Sequence, residues 1–106
     1  MHVVLCNCSP AEAASLARTL VEERLCACVN RLNGVTSTYR WQGELHEDPE
    51  TTLIIKVAEG GVQALRDRLV ALHSYDVPEV LVLPVDASLS HAPYVDWVQS
   101  HLRRPE

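Results

Sequence analysis

Four polar side chains crowd into seven residues: His73, Tyr75, Asp76 and Glu79. Imidazole and carboxylate are ligands for Cu(II) or Zn(II), and a phenol hydroxyl can orient either group. The segment Leu72–Glu79 stands between a helical pattern and the apolar run Val80–Val85, which reads as buried. Side chains at the ends of elements are free to meet a ligand. Four cysteines form two C-x-C pairs, Cys6 with Cys8 and Cys26 with Cys28. On a strand such a pair points to one face and could chelate a soft ion such as Cu(I). The same pattern also suits small apolar groups of a central strand.

Each candidate has a plainer role beside the chemical one. His73 closes a helix, where an imidazole can bond the last carbonyls. Glu79 follows Pro78 at a strand start, where a solvated carboxylate is ordinary. Asp76 suits a turn. Tyr39, Trp41 and Tyr75 read as interface aromatics ahead of ligand-stacking ones. Arg40 and Lys56 could pair with the acidic run Glu47–Glu50 or line an anion-binding cleft. His2, His46, His91 and His101 read as surface residues.

The elements that must position these groups follow from periodicity. His2–Cys8 reads as a short buried strand. Ser9 suits a helix N-cap, Pro10 the first helical position, and Glu12 the return half of a capping box. Ala13, Leu16, Ala17, Leu20, Val21 and Leu25 keep helical spacing over about four turns. A second strand pattern, Cys26–Leu32, is broken by Asn33-Gly34 and resumes over Val35–Trp41. Gln42-Gly43 signals a hairpin. The return arm runs from Glu44 through a polar stretch to Thr52–Val57. Val62, Leu65, Leu69 and Leu72 mark a second helix, and Val80–Val85 a continuous apolar strand. Tyr94, Trp97, Val98 and Leu102 mark a last helix opening at Ser90 or Ala92. Arg103 and Arg104 would complement its dipole. The order β-α-β-β-α-β with an added helix is the α+β, ferredoxin-like sandwich.

At 106 residues, one domain spanning 1–106 is expected, with a core that needs no disulfide. Nine basic against fourteen acidic residues give a net charge of −5. That balance, without a basic run, argues against nucleic acid as a partner. No apolar run approaches a membrane span, and no signal peptide is visible. The cytoplasm, with reduced thiols, is the expected compartment. Motifs for phosphate loops, dinucleotide binding, zinc proteases and serine hydrolases are absent, so no enzyme is expected.

The central hairpin is too long for a plain monomer. Its arms, Cys26–Trp41 and Glu44–Val57, run about 14–16 residues against a usual ~5–6. An unbroken arm would reach about 45–50 Å. Two helices of about four turns cannot cover that length. The overhang exposes strand edges, which predicts pairing with neighbouring subunits.

The chain resembles the CutA family of divalent-cation tolerance proteins over about Val3 to Trp97. The segments that carry the likeness are Val4-Leu5-Cys6-Asn7-Cys8 with its Ser-Pro helix start; Leu20-Val21-Glu22-Glu23-Arg24-Leu25-Cys26-Ala27-Cys28-Val29-Asn30; Tyr39-Arg40-Trp41-Gln42-Gly43; Ile55-Lys56; and His73-Ser74-Tyr75-Asp76-Val77-Pro78-Glu79. The resemblance implies a homotrimer similar to the PII nitrogen-regulatory proteins, and a role in tolerance of copper and other divalent cations. It brings no catalytic reaction. It matches Cys6 to a proposed copper ligand and Cys28 to a common family residue. Cys26 usually corresponds to Ala and reads as core packing. Some members carry a His pair where this chain has Leu72 and His73, and Pro where it has Ser74.

The expected metal site is therefore Cys6, His73 and Glu79, shared between subunits, taking copper or zinc exchangeably and not needed for folding. In the ferredoxin-like order 4-1-3-2 the first two strands are not neighbours, so one four-thiolate site is not expected. The alternative is a trimeric signalling or scaffold module binding a small anion or a protein in inter-subunit clefts.

Overall fold

The computed structural model describes residues 1–102. Arg103 and Arg104, expected to complement the last helix dipole, lie outside the described residues. The elements are β1 (His2–Cys8), α1 (Pro10–Glu22), β2 (Cys28–Trp41), β3 (Glu44–Val57), α2 (Val62–Leu72), β4 (Val80–Pro84) and α3 (Ala92–Gln99). All neighbours in the sheet are antiparallel, in the order β2-β3-β1-β4. This is the expected α+β, ferredoxin-like βαββαβ arrangement with a C-terminal helix.

Strand alternation divides the sheet cleanly. Val4, Cys6 and Cys8 of β1 and Leu53, Ile55 and Val57 of β3 are fully buried. They pack with Leu16 and Leu20 of α1 and Leu65 and Leu69 of α2. Each such leucine contributes about 1.5–3 kcal/mol by leaving water. The opposite face carries Val3, Leu5 and Ile54, all half-buried, and Leu81 and Leu83, both exposed. Cross-strand pairing sets Leu81, Leu5 and Ile54 in one row. α3 covers one end of this face: Tyr94 lies near Cys28, and Val98 is buried.

Three boundaries differ from the sequence reading. α1 stops at Glu22, short of Leu25. Arg24 takes φ +60°. Its N–H bonds the Val21 carbonyl, and the Leu25 N–H bonds the Leu20 carbonyl. That is a Schellman closure, and it swings Leu25 into the core. Arginine hides a stop that glycine would announce. β2 begins at Cys28, because Cys26 and Ala27 belong to the buried connection. β4 ends at Pro84 and is an edge strand, not the buried run expected: Leu81, Val82 and Leu83 are 54, 41 and 47% exposed.

The long hairpin is continuous. Asn33 and Gly34 do not break β2; the register slips between Leu32 and Val35. Two residues there oppose Thr51 alone, and Gly34 takes φ +78°. Gln42 and Gly43 close the hairpin with φ +51° and +82°, as a type I′ turn requires. Both arms have 14 residues, and the molecule is 44 Å long. β1 pairs with only Thr51–Val57 of β3. Residues 44–50 therefore overhang, with β2 their one neighbour. Pro49 is tolerated there because the overhang has a free edge.

Candidate functional site

The overhang and the α2–β4 connection enclose a cleft beyond the end of β1. Asn7 closes its base. Tyr39, Trp41, Asp48 and Glu50 come from the hairpin, and Ser74, Tyr75, Asp76, Val77 and Glu79 from the connection. Its volume is about 590 Å³. Alternation places Asn7, Asp48 and Glu50 on the face away from α1 and α2.

His73 holds the connection in place from behind. Its side chain is fully buried. Nε2 donates to the Asn7 carbonyl at 2.9 Å, and Nδ1 accepts the Tyr75 N–H at 3.1 Å. Both ring nitrogens are thus engaged, with the proton on Nε2. The expected bonding to the last helix carbonyls does not occur through the ring; the His73 backbone N–H reaches Leu69 instead.

Glu12 is the second anchor. Its carboxylate accepts the Ser9 N–H at 3.3 Å and the Ser9 hydroxyl at 2.7 Å. It also accepts the Ser74 N–H at 3.2 Å and the Ser74 hydroxyl at 2.6 Å. One side chain therefore caps α1 and pins the cleft wall. Partial burial pushes its pKa up, but bonds from Ser74 and Ser9 outweigh that and hold it below the usual carboxylate value.

The cleft is acidic. Asp48, Glu50, Asp76 and Glu79 line it, with no Lys, Arg or His among the lining residues. Tyr39 donates its hydroxyl to Asp48 while its ring stacks on His46. Tyr75 donates to Glu50 at 3.0 Å. Burial, reinforced by Glu50, raises the Tyr75 pKa and keeps it a donor. Asp76 lies in the bend of residues 74–77; among the described residues its side chain makes no hydrogen bond, and neither does that of Glu79. Arg40 and Lys56 stand apart from both the cleft and the acidic run. Arg40 donates to the Gly43 carbonyl, and Lys56 approaches the Cys28 sulfur at 3.8 Å.

The thiols are core groups. Cys6 and Cys8 are fully buried and face the helices. Cys6 contacts the Asn7 carbonyl at 3.7 Å, and Cys8 the Thr51 carbonyl at 3.6 Å. Burial, then the charges of Cys8 and Glu79, pushes the Cys6 thiol up to about 12. Burial likewise raises Cys8 to about 11 and Cys26 to about 12. A thiolate is the form that binds metal.

Cys6, His73 and Glu79 thus gather at one end of the sheet but not around one point. Cys6 faces the helical layer, His73 spends both nitrogens on backbone groups, and Glu79 lines the cleft. Among the described residues no three His, Cys, Asp or Glu side chains are placed to hold one metal ion. The sequence reading missed Asp48, Glu50 and Asn7 as cleft residues, and Glu12 as its anchor. A signal existed for two of them. A two-residue turn at Gln42-Gly43 fixes the pairs Tyr39–His46, Ser37–Asp48 and Val35–Glu50. Counting outward sets Asp48 and Glu50 on one face with Tyr39 and Trp41.

The family model of the CutA1 divalent ion tolerance protein matches residues 2–101. The chain belongs to the CutA1 family. It is 44% identical over 101 residues to the divalent-cation tolerance protein CutA of Thermus thermophilus, covering 94% of this chain and 96% of that one. It is 42% identical over 87 residues to the human protein CutA. That alignment covers 82% of this chain and 48% of the human one, so this CutA1 chain spans about half its length. Among solved structures it is similar to the PII-like protein CutA from Nostoc. The TM-score is 0.94 at 39% identity, over 97% of this chain and 98% of that one.

Proposed function

We propose that this CutA1 chain takes part in tolerance of copper and related divalent cations, as a cytoplasmic homotrimer that binds them weakly and exchangeably. The observation that carries this reading is the cleft: four carboxyl groups face it and no basic side chain does. Such a concavity concentrates cations. Carboxylate oxygens accept Cu(II) and Zn(II), whereas the buried Cys6 thiol faces the helical layer and not the cleft. Of the expected ligands, Glu79 is the one an arriving ion meets. Cys6 and His73 join only if the contacts of Asn7 and Tyr75 release them. Binding therefore loads the protein without building its core. A small anion finds no counter-charge in this cleft; the signalling or scaffold alternative places its ligand in clefts between subunits instead. We assign no catalytic reaction.

The trimer reading rests on unsatisfied surface. The face bearing Val3, Leu5, Ile54, Leu81 and Leu83 lacks a helical cover like that of the opposite face. β2 and β4 present open edges, and Tyr39, Trp41 and Leu45 project from the overhang. Neighbouring copies would cover all of these. Sedimentation should show no substantial monomer at micromolar concentration. A clean 11.8 kDa species would end the trimer reading.

Titration calorimetry on untagged protein tests the metal reading, using Cu(II), Zn(II) and Cu(I). Glu79→Gln should weaken Cu(II) and Zn(II), while Cys6→Ser leaves both unchanged. His73→Ala distinguishes a ligand from an anchor, because loss through loosening appears also in thermal unfolding. Identical isotherms for wild type and Glu79→Gln would remove the site. A loss confined to Cys6→Ser would return the thiol to the ligand set.

A further inference from the structure

The end of the sheet opposite the cleft holds a buried nitrogen with no bond to make. Nδ1 of His2 is the one buried side-chain nitrogen or oxygen without a hydrogen bond among the described residues. Native proteins rarely leave such an atom without a partner. We propose that His2 Nδ1 and the Glu59 carboxylate hold a first-row divalent cation, Cu(II) or Zn(II), with the Met1 nitrogen as third donor. This is a second metal site, and it does not depend on the cleft.

The donors converge on one region. Glu59 Oε2 lies 3.5 Å from His2 Nδ1 and 3.3 Å from the Met1 amine. Two donors each about 2.1 Å from one ion, at a tetrahedral angle, stand about 3.4 Å apart. The observed separations are therefore those of ligands around an ion. The Met1 ammonium now donates to Glu59. An ion takes over that contact, and the amine gives up its proton to bind it. Only two of the three donors are His, Cys, Asp or Glu side chains, so the set differs from the three-side-chain clusters absent among the described residues.

The backbone holds these groups in place. His2 pairs with Val57 on one side and Pro84 on the other. The Met1 carbonyl accepts the Val85 N–H at 3.2 Å, and the Met1 side chain is buried. The Glu59 N–H donates to Gln99 Oε1 at 2.8 Å, while Gln99 Nε2 donates to the Glu59 carbonyl at 3.3 Å. α3 thus clamps the turn that carries the carboxylate. Ligands fixed beforehand lose little freedom on binding.

The site lies away from the surfaces assigned to neighbouring copies. Alternation turns His2 to the side of Val4 and Cys6, beside the helical layer, and not to the uncovered face. β1 separates it from the overhang by about 20 Å. The His2 side chain is 23% exposed and that of Glu59 68%, so an ion reaches the imidazole past the carboxylate. Two nitrogens with one carboxylate oxygen suit Cu(II) and Zn(II), whereas Mg(II) and Ca(II) prefer oxygen alone.

The test is titration calorimetry of the untagged 106-residue chain with glycine-buffered Cu(II) and with Zn(II), beside electron paramagnetic resonance of the Cu(II) form. His2→Asn and Glu59→Gln should each weaken one equivalent at least about tenfold. Glu79→Gln should leave that equivalent in place, and Mg(II) should not compete for it. Nitrogen couplings in the resonance should diminish in His2→Asn and persist in Glu59→Gln. Glu59 is exposed, so Glu59→Gln keeps the test open should His2→Asn fold poorly. Wild-type isotherms in both variants overturn the site. A loss in His2→Asn with Glu59→Gln unchanged marks an adventitious amine–imidazole chelate and overturns it as well. A loss confined to Glu79→Gln overturns this site and leaves the cleft reading standing. One equivalent lost with His2→Asn and Glu59→Gln, and retained in Glu79→Gln, supports it whatever the fate of the cleft.

Discussion

Replacing Glu12 with alanine should cost this protein about 2–3 kcal/mol, more than its position on a helix surface suggests. The reasoning starts from four bonds to one carboxylate, two from Ser9 and two from Ser74. Losing the Ser9 side of this arrangement resembles losing a helix cap, worth about 1 kcal/mol. Losing the Ser74 side removes two charge-assisted bonds. In a buried site each would be worth about 1.5–3 kcal/mol, but Ser74 is exposed, and about 0.5–1 each is appropriate. The assay is urea unfolding at pH 7 and one fixed subunit concentration, because an oligomer's stability depends on concentration. Ser9→Ala and Ser74→Ala provide the two halves. Each should cost about 1 kcal/mol, and a double-mutant cycle with Glu12→Ala should show strong coupling. The functional consequence is measurable in parallel: Glu12→Ala should weaken cation binding without touching a lining carboxylate. A destabilisation below about 0.5 kcal/mol, the level of an ordinary surface change, would refute the anchoring role.

Further outcomes follow from the same geometry. Because Glu12 titrates lower when folded, its contribution is complete above its unfolded value near pH ~4.3 and fades as pH falls through the folded value. The stability gap between wild type and Glu12→Gln should therefore shrink on acidification, in urea titrations run across that range. Tyr75→Phe strips the Glu50 carboxylate of the one hydrogen bond it makes among the described residues and should cost about 1–3 kcal/mol by thermal or urea unfolding. Cys6, Cys8 and Cys26 should escape a short maleimide pulse at mildly alkaline pH and be labelled only after denaturation; mass spectrometry of peptides reads this directly. Gly34→Ala meets no neighbour but must adopt φ +78°, so it should cost about 1–2 kcal/mol, with Gly34→Asn milder.

The fold was legible because its signals are local and repetitive. Apolar spacing marked all three helices, Gln42-Gly43 marked the hairpin, and the element order implied the sheet. The misses share a cause. Arg24 ends α1 in a conformation usually marked by glycine, and only the packing of Leu25 makes it worthwhile. Asn33-Gly34 looks like a break, but across from Thr51 it is a bulge. β4 reads as buried because its residues are apolar; in one subunit they are an edge. The site was harder still. Residue type pointed to Cys6 and His73 as ligands, but alternation turned the thiol inward and two backbone groups claimed the imidazole. Asp48 and Glu50 looked like solvated charge until the hairpin register set them against Tyr75 and the connection.

The central position of β1 has a consequence for how the chain is made. β1 is synthesised before both of its partners: β3 pairs with it through Thr51–Val57, and β4 through Val80–Pro84. On the ribosome, His2–Cys8 must wait with both edges open while β2 and β3 zip into their own hairpin nearby in sequence. From sequence separation, the local hairpin is expected early and the long-range closure of β1 onto β4 last. A short, apolar, unpaired strand is the part of a nascent chain most prone to wrong pairing. The strongly capped α1 that follows it, able to fold beside it before the sheet exists, is the first shelter it finds.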